Sequence, residues 1–459
     1  MVDIELQEDP EICIKFTHDK KNPNIKHVKG INIDETAKYV LRNLNLATIA
    51  ETDEMLIYSD GIYVPRGEKR IKMLLETMFM MYPRADGNPL LSIHKTKEII
   101  EKIRNLSSIS MEDFDNDINI INMENGLYHL DEEKLYSHDP NYLSKIQIPI
   151  KYDAKARCPS IDEIARRVLK TNDITKFFEL TGYLLYRKHD IQKAFIFYGP
   201  GSSGKSIMLS IARTFVGADN RSNVTFKQIA EDTWAIAEFQ GKLLNEAGDL
   251  DSTTIKETGT FKTLTGGMAE DSIRAQKKFG QPFSFVNYAK IIFATNTLPI
   301  ILDLTTGLTR RLEIFICDRS FTPNSADEKL LNDITTPEEM SGLFNKVIPL
   351  LKELIKRKKY TNQTSAEDIG RIYAAASNPT KTFLDTCVVE SPEGYILKSE
   401  LYDRYVQFCE QNNAKPLHFN YFGRKINDIF GFSIKSGQVL VNKIKVSTWY
   451  GIRLRTGYQ

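Results

Sequence analysis

The sequence predicts a multidomain α/β protein built around a parallel-sheet P-loop core. Three observations point there. Between residues 194 and 317, short apolar runs (Ala194 to Tyr198, Leu243 to Leu244, Ile291 to Ala294, Leu312 to Cys317) alternate with helical and loop patterns, as buried parallel strands do. The first of these runs feeds straight into a glycine-rich motif that opens a helix. A chain of 459 residues is also long enough for two to four domains with sizeable cores.

In chain order, residues 1–150 mix short strands and helices. Met55 to Val64 reads as a hairpin around Ser59-Asp60-Gly61, and Asn119 to Leu130 as a second with Asn125-Gly126 as its turn. Residues 151–190 carry helical periodicity through Ile164, Val168, Phe177, Leu180 and Leu184, the pattern of a helical collar or linker. The α/β core spans 191–355. A polar stretch with Lys356-Arg357-Lys358-Lys359 and Thr361-Asn-Gln-Thr-Ser365 makes 356–379 a linker. Residues 380–459 form a last small unit of three short helices and a hairpin at Phe432 to Val441.

Composition narrows the function classes. Apolar residues make up 41% and charged residues 26%, with a formal net charge of +1, so any nucleic-acid site must be a local patch. No stretch is apolar enough to predict a membrane span, and the acidic start Met-Val-Asp-Ile-Glu-Leu lacks a signal-peptide core. Cys13, Cys158, Cys317, Cys387 and Cys409 show no zinc spacing and are expected to be reduced thiols in a cytoplasmic protein. The run Asp113-Phe-Asp115-Asn-Asp117 has the look of a cation loop, but Ile118 stands where an EF-hand needs glycine.

Gly199-Pro200-Gly201-Ser202-Ser203-Gly204-Lys205-Ser206 fits G-x-x-x-x-G-K-[ST] at every fixed position, and the helix it opens, through Ile207 to Phe215, stops at Gly217. The glycines let backbone N–H groups converge on phosphate oxygens at a helix N-terminus. Lys205 is expected to face the β- and γ-phosphates of ATP and Ser206 to ligate Mg²⁺. Such a loop needs a partner acid on a neighbouring strand. Leu243-Leu-Asn-Glu246-Ala-Gly-Asp249-Leu-Asp251 offers three, of which Asp249 is the choice because it falls where the strand emerges; Glu246 and Asp251 stay open. Asn296, closing the run Ile291 to Thr295, is positioned to orient water against a γ-phosphate if its strand lies between the other two. Arg310-Arg311 enters the next apolar run and is an arginine-finger candidate.

Taken in order, GPGSSGKS, LLNEAGDLD, KIIFATN and TRRLEIF, with Leu264-Thr-Gly-Gly and Ile273-Arg-Ala-Gln-Lys-Lys-Phe279 between the second and third, closely resemble the superfamily 3 helicases, above all the helicase half of phage and plasmid primase–helicases related to poxvirus helicase–primases. The resemblance extends over roughly residues 50 to 455. It implies an AAA+-like core in a homo-oligomeric ring, a hexamer, moving 3′ to 5′ on single-stranded and forked DNA, with a primase or replication initiator as a further partner. It gives Asp249 the Walker B place, Asn296 the sensor place and Arg311 the finger, with Arg310 as the near alternative. Arg274 to Phe279 matches the hairpin lining the central channel, where Arg274, Lys277, Lys278 and Phe279 are expected to grip single-stranded DNA: cations track phosphates and an aromatic stacks on a base. The last unit reads as a winged helix, with Ser399 to Glu410 as one helix, Phe419 to Ile429 as a recognition-like helix, and Lys415, His418, Arg424, Lys425, Lys435, Lys443 and Lys445 facing phosphates. Two other readings are a P-loop switch or loader that binds DNA without unwinding it, and a monomeric P-loop kinase of a small metabolite.

Overall fold

A computed structural model describes residues 9–455, apart from 20–21, 23, 25, 85–86, 249–254, 267–271, 279, 303, 320, 322–331, 413, 432–433 and 442–443. The chain forms two compact units, Met1–Tyr152 and Asp153–Gln459.

The first unit begins with an antiparallel pair, β1 (Ile14–His18) and β2 (Lys26–Ile31). Helix α1 (Ile33–Asn43) starts where the Asn32 side chain accepts the Glu35 N–H, satisfying one of the amides that a helix start leaves open. A four-stranded sheet follows, in the order β5 (Ile62–Pro65), β4 (Met55–Ser59), β3 (Leu46–Ile49), β6 (Ser108–Ile109). The expected first hairpin is β4–β5, and it reverses at Asp60 and Gly61, both at positive φ (53° and 89°), as a two-residue turn requires. Helices α2 (Gly67–Met80) and α3 (Ile93–Leu106) pack Leu75, Met78, Ile99 and Ile103 against Tyr39 and Val40 of α1.

The second hairpin, β7 (Ile120–Met123) with β8 (Gly126–His129), pairs Met123 with Gly126, so its turn is Glu124-Asn125 and not Asn125-Gly126. Gly126 is required for another reason. A Cβ there would stand 2.2 Å from the carbonyl oxygen of Tyr136 on the third strand, β9 (Lys134–Tyr136). Asp115, in the run that looked like a cation loop, spends its carboxylate on the Ser144 hydroxyl (2.6 Å) and the Lys145 N–H (2.9 Å).

The second unit opens with α4 (Pro159–Val168) and α5 (Thr171–Tyr183). The expected stripe of Ile164, Val168, Phe177, Leu180 and Leu184 is buried throughout. α4 lacks a capping side chain of its own; Glu339 supplies one from afar, accepting the N–H groups of Ser160 (3.0 Å) and Ile161 (3.1 Å).

A five-stranded parallel sheet forms the centre, in the order β11 (Arg221–Ser222), β12 (Leu244–Gly248), β15 (Lys290–Thr295), β10 (Ala194–Tyr198), β16 (Leu312–Ile316). β10 and β15 are buried on both faces, so their sequences run apolar without alternation. Helix α6 (Lys205–Val216) follows β10. α7 (Phe226–Glu231) and α8 (Gly259–Leu264) pack on the core, where Phe226 lies 5.6 Å from the Phe293 ring of β15. The hairpin β13 (Ile273–Gln276) with β14 (Pro282–Phe285) and the short α9 (Thr306–Thr309) complete this part.

After β16 come α10 (Pro337–Arg357) and α11 (Ala366–Ser377). α11 corrects the expectation of a linker over 356–379. Its Ile369 and Tyr373 belong to the sheet's own core, and the Tyr373 hydroxyl donates to the Pro299 carbonyl at 2.9 Å. The polar stretch before it is also pinned. Glu313 of β16 is fully buried and accepts from Lys176 of α5 (2.7 Å), Lys193 ahead of β10 (3.4 Å), and the Thr364 N–H (3.1 Å) and hydroxyl (2.6 Å).

The chain closes with α12 (Pro379–Cys387), β17 (Val388–Leu397), α13 (Lys398–Gln411), α14 (Phe419–Phe430), β18 (Lys435–Val441) and β19 (Ile444–Leu454), the strands ordered β17-β19-β18. Three helices stand as expected. The hairpin is displaced: within the expected Phe432 to Val441, Lys435–Val441 supplies one strand, whose partner is β19. β17 escapes notice in the sequence because Ser391-Pro-Glu-Gly394 reads as a turn; the strand absorbs it as a register shift between Glu390 and Tyr395.

Candidate functional site

β10 ends at Tyr198, and the next six residues turn into α6. Two positions in that loop admit no side chain. A Cβ on Gly199 would stand 1.9 Å from the Cys317 carbonyl oxygen, because the chain leaving β16 hydrogen-bonds back to Tyr198 (2.8 Å). Gly204 has φ +85° and faces Val168 of α4 and the Phe321 ring. Ser202 also sits at positive φ (56°), held there as its carbonyl accepts the Phe321 N–H at 2.8 Å. Val168 and Phe321 thus brace the loop from segments far apart in sequence, and no local pattern marks them.

Lys205 opens α6 with its ammonium folded over the loop. Nζ donates to the carbonyls of Gly199 (2.9 Å) and Pro200 (2.6 Å), to Ser203 Oγ (3.2 Å) and to Asn296 Oδ1 (2.8 Å). These four acceptors are neutral oxygens, and they hold the ammonium at the positive end of a twelve-residue helix, the kind of place where an anion is favoured. The Ser206 side chain, one residue on, faces solvent.

The sheet order brings Asn296 to this point. β15 lies between β10 and β12, and Thr295 pairs with Tyr198, so Asn296 leaves the sheet at the level of the loop. Of the three acids on the β12 side, Glu246 is otherwise engaged. It is 2% exposed, pairs in register with Ile292, and binds Arg213 Nε of α6 (2.5 Å) and Arg221 (2.8 Å). Four residues short of Asn296's level, it stands roughly 13 Å down the strand. Asp249 and Asp251 lie outside the described residues. β12 runs in the direction of β10, and its last residue, Gly248, pairs with Ala294.

Arg310 and Arg311 precede β16, whose Leu312 pairs with Ala194 at the start of β10. They therefore occupy the sheet edge opposite the glycine loop, about 17 Å from it for five-residue strands. Arg310 is exposed and donates to Gln192 (3.1 Å); Arg311 is partly buried and donates to the Gly307 carbonyl (2.7 Å). Neither reaches the loop of its own chain.

In the β13–β14 hairpin, Ile273 and Ala275 are buried in the core while Arg274 between them points outward. Lys277 and Lys278 sit exposed at the reversal, which is closed by Gly280 N–H to the Lys277 carbonyl (2.8 Å) and the Gln276 amide to the Gly280 carbonyl (2.9 Å). Phe279 lies outside the described residues.

All five cysteines are buried and none is joined in a disulfide. Burial pushes the Cys317 thiol, behind the loop, up to about 12, so it is no nucleophile at neutral pH. Among the described residues no group of three His, Cys, Asp or Glu side chains is placed to hold a metal, and no helix is long and apolar enough to cross a membrane.

Three segments match known families. Residues 49–170 match the family described as D5 N terminal like, 197–311 a family of unknown function (DUF5906), and 377–434 the RFX DNA-binding domain. Among solved structures, two apo structures of the NrS-1 C terminal region are similar at TM-scores of 0.44, with 10% and 11% identity, covering 92% of this chain and 100% and 99% of theirs. The match over residues 49–170 agrees with the resemblance to primase–helicases carried by the motif series.

Proposed function

We propose that this primase–helicase-like chain is an ATP-driven DNA helicase motor of the superfamily 3 type, acting in replication of a phage, plasmid or virus-like element in its host's cytoplasm. One observation carries the reading. The loop lysine and Asn296 meet at 2.8 Å because the strand of Asn296 runs between the loop strand and the strand that leads to Asp249. That order is the one an AAA+-like core needs to set a base-side acid, a water-orienting amide and a phosphate loop along one sheet edge.

In this reading the loop from Gly199 to Ile207 holds the nucleotide phosphates. Lys205 turns from the loop carbonyls to the β/γ oxygens, and Ser206 with Asp249 holds Mg²⁺, which neutralises charge developing on the transferred phosphoryl group. Asn296, already at the ammonium, orients the attacking water. The arginines at the far sheet edge favour a shared site: Arg311, or Arg310 beside it, serves the nucleotide of the adjacent subunit in a hexameric ring. Arg274, Lys277, Lys278 and Phe279 on the hairpin carry the stroke to single-stranded DNA. The order helix, strand, two helices, two strands from α12 to β19, together with the RFX match, supports a winged helix that contacts DNA.

The deciding experiment measures ATP turnover with and without single-stranded DNA, displacement of a strand from a tailed duplex, and mass in solution with ATP. DNA-stimulated turnover, displacement and a ring-sized mass are expected. Turnover indifferent to DNA from a monomer overturns the reading in favour of a small-molecule kinase; stimulated turnover without displacement overturns it in favour of a loader.

A further inference from the structure

A motor that tracks a strand needs no base preference, yet the C-terminal unit presents a face built to discriminate bases. On α14, Phe422 and Ile426 turn into the core. Asn420, Gly423, Arg424 and Asn427, at spacings i, i+3, i+4 and i+7, form one stripe on the other side. This stripe lines a cavity of about 230 Å³ whose opposite wall is Lys398 and Trp449. The Lys398 ammonium is fixed by Ser436 Oγ (2.6 Å) and by the Trp449 ring beneath it (4.1 Å).

The chemistry is selective. Asn420 and Asn427 are exposed, and among the described residues their side-chain amides take no partner. No carboxylate lines the cavity. Gly423 leaves room for close approach at the centre of the stripe. Phe419, which lines the cavity, is engaged edge-on with Tyr402 at 5.1 Å, and the exposed Tyr421 ring lies against the Arg424 guanidinium at 5.3 Å. An exposed helix face carrying two amides and a guanidinium suits the major groove of duplex DNA, where asparagine reads adenine and arginine reads guanine. A fixed lysine at the flank suits a backbone phosphate.

We propose that the α14 face of Asn420, Arg424 and Asn427 reads a short duplex sequence containing adenine and guanine, with Lys398 anchoring the neighbouring phosphate. The C-terminal unit is then a sequence reader attached to a motor, which would seat the protein at a chosen duplex site. This rests on the reading of that unit as DNA-contacting.

The test selects binders from a pool of randomised duplexes with the full chain, then measures affinity for the enriched and scrambled duplexes. An enriched motif is expected. Asn420→Ala and Asn427→Ala should each flatten preference at one position, by roughly five- to hundred-fold, while binding scrambled duplex as before. Lys398→Gln, which keeps the stem on Trp449, should weaken all duplexes alike and reduce the salt dependence. Lys381→Ala, exposed on α12 and outside the cavity lining, is the folding and charge control. Wild-type binding to duplex without any enriched motif, or a motif that survives the Asn420→Ala/Asn427→Ala double variant, overturns the proposal. No duplex binding at all overturns it together with the DNA role of this unit, while turnover and strand displacement report separately on the motor.

Discussion

The Lys205 ammonium lies 2.8 Å from the side-chain oxygen of Asn296, a residue 91 positions later in the chain. The two are neighbours because β15 inserts beside β10, so the glycine loop and the candidate water-orienting residue share one edge. Lys205→Ala removes the cation and should lower ATP turnover by about 100-fold or more. Asn296→Ala should keep nucleotide binding within a few-fold and lose turnover, the signature of a group that acts in the transition state. Steady-state turnover alongside fluorescent-nucleotide binding checks both; an Asn296→Ala enzyme with normal kcat removes that residue from the chemistry.

Glu246 and Asp249 should separate cleanly. Glu246 holds two arginines that each keep about a third of their surface in water (38% and 35%), so Glu246→Ala should cost about 1–3 kcal/mol of stability and affect turnover only through folding. Asp249→Asn should leave the denaturation midpoint in place, bind ATP and barely hydrolyse it. Chemical denaturation and single-turnover hydrolysis on the two variants decide; the opposite ranking moves the catalytic acid to Glu246.

Arg311→Ala should bind ATP normally and lose turnover by about 10³-fold or more, as a finger acting in trans does. Mixed with Lys205→Ala, it should recover part of its activity once subunits exchange, since one chain offers the loop and the other the arginine. Arg310→Ala is the comparison. Recovery with Arg310→Ala alone puts the finger one residue earlier, and recovery with neither leaves the shared site without support.

Lys277→Ala/Lys278→Ala should weaken single-stranded DNA binding, flatten its salt dependence and leave basal turnover intact. Phe279→Ala should cost roughly 1–3 kcal/mol for one lost stack. Fluorescence anisotropy across a salt series reads both effects; unchanged affinity returns this hairpin to a purely structural role.

His189 links stability to acid. Burial first, and the Lys290 charge second, hold its imidazole down at about 3 against an ordinary 6.5. The unfolded chain therefore binds a proton that the folded chain refuses between those values. Stability from this group is complete above pH 6.5 and falls by about 1.4 kcal/mol per pH unit below it, until about pH 3. His189→Leu should lose that slope. Denaturant midpoints at pH 7 and pH 5 compare the two; parallel losses in both proteins refute the assignment.

Legibility followed sequence distance. The glycine loop, its strand and its helix stand within some twenty residues and read directly from Ala194 to Gly217. Glu246 looked like a candidate acid because its two arginine partners lie 33 and 25 residues away, and nothing local announces them. α11 hid for a different reason: its three core side chains, Ile369, Tyr373 and Ala376, follow the polar run Thr361 to Ser365, whose contacts with Glu179 and Glu313 are made in space and leave no periodicity. The turn at Glu124-Asn125 was read one residue late because Gly126 carries a turn residue's identity for the sake of β9.

The anchoring of Thr364 on Glu313 sets where the parallel-sheet part of the chain can be cut. A fragment ending near residue 355 would leave a buried carboxylate short of two donors and strip Ile369 and Tyr373 from the sheet. Its exposed apolar face would drive aggregation before any enzymology began. During synthesis the same dependence means that the glycine loop, complete at residue 206, cannot be locked onto its finished sheet until some 170 further residues have left the ribosome. The smallest fragment expected to fold around this sheet by itself therefore runs through Ser377, with α11 serving as its final wall.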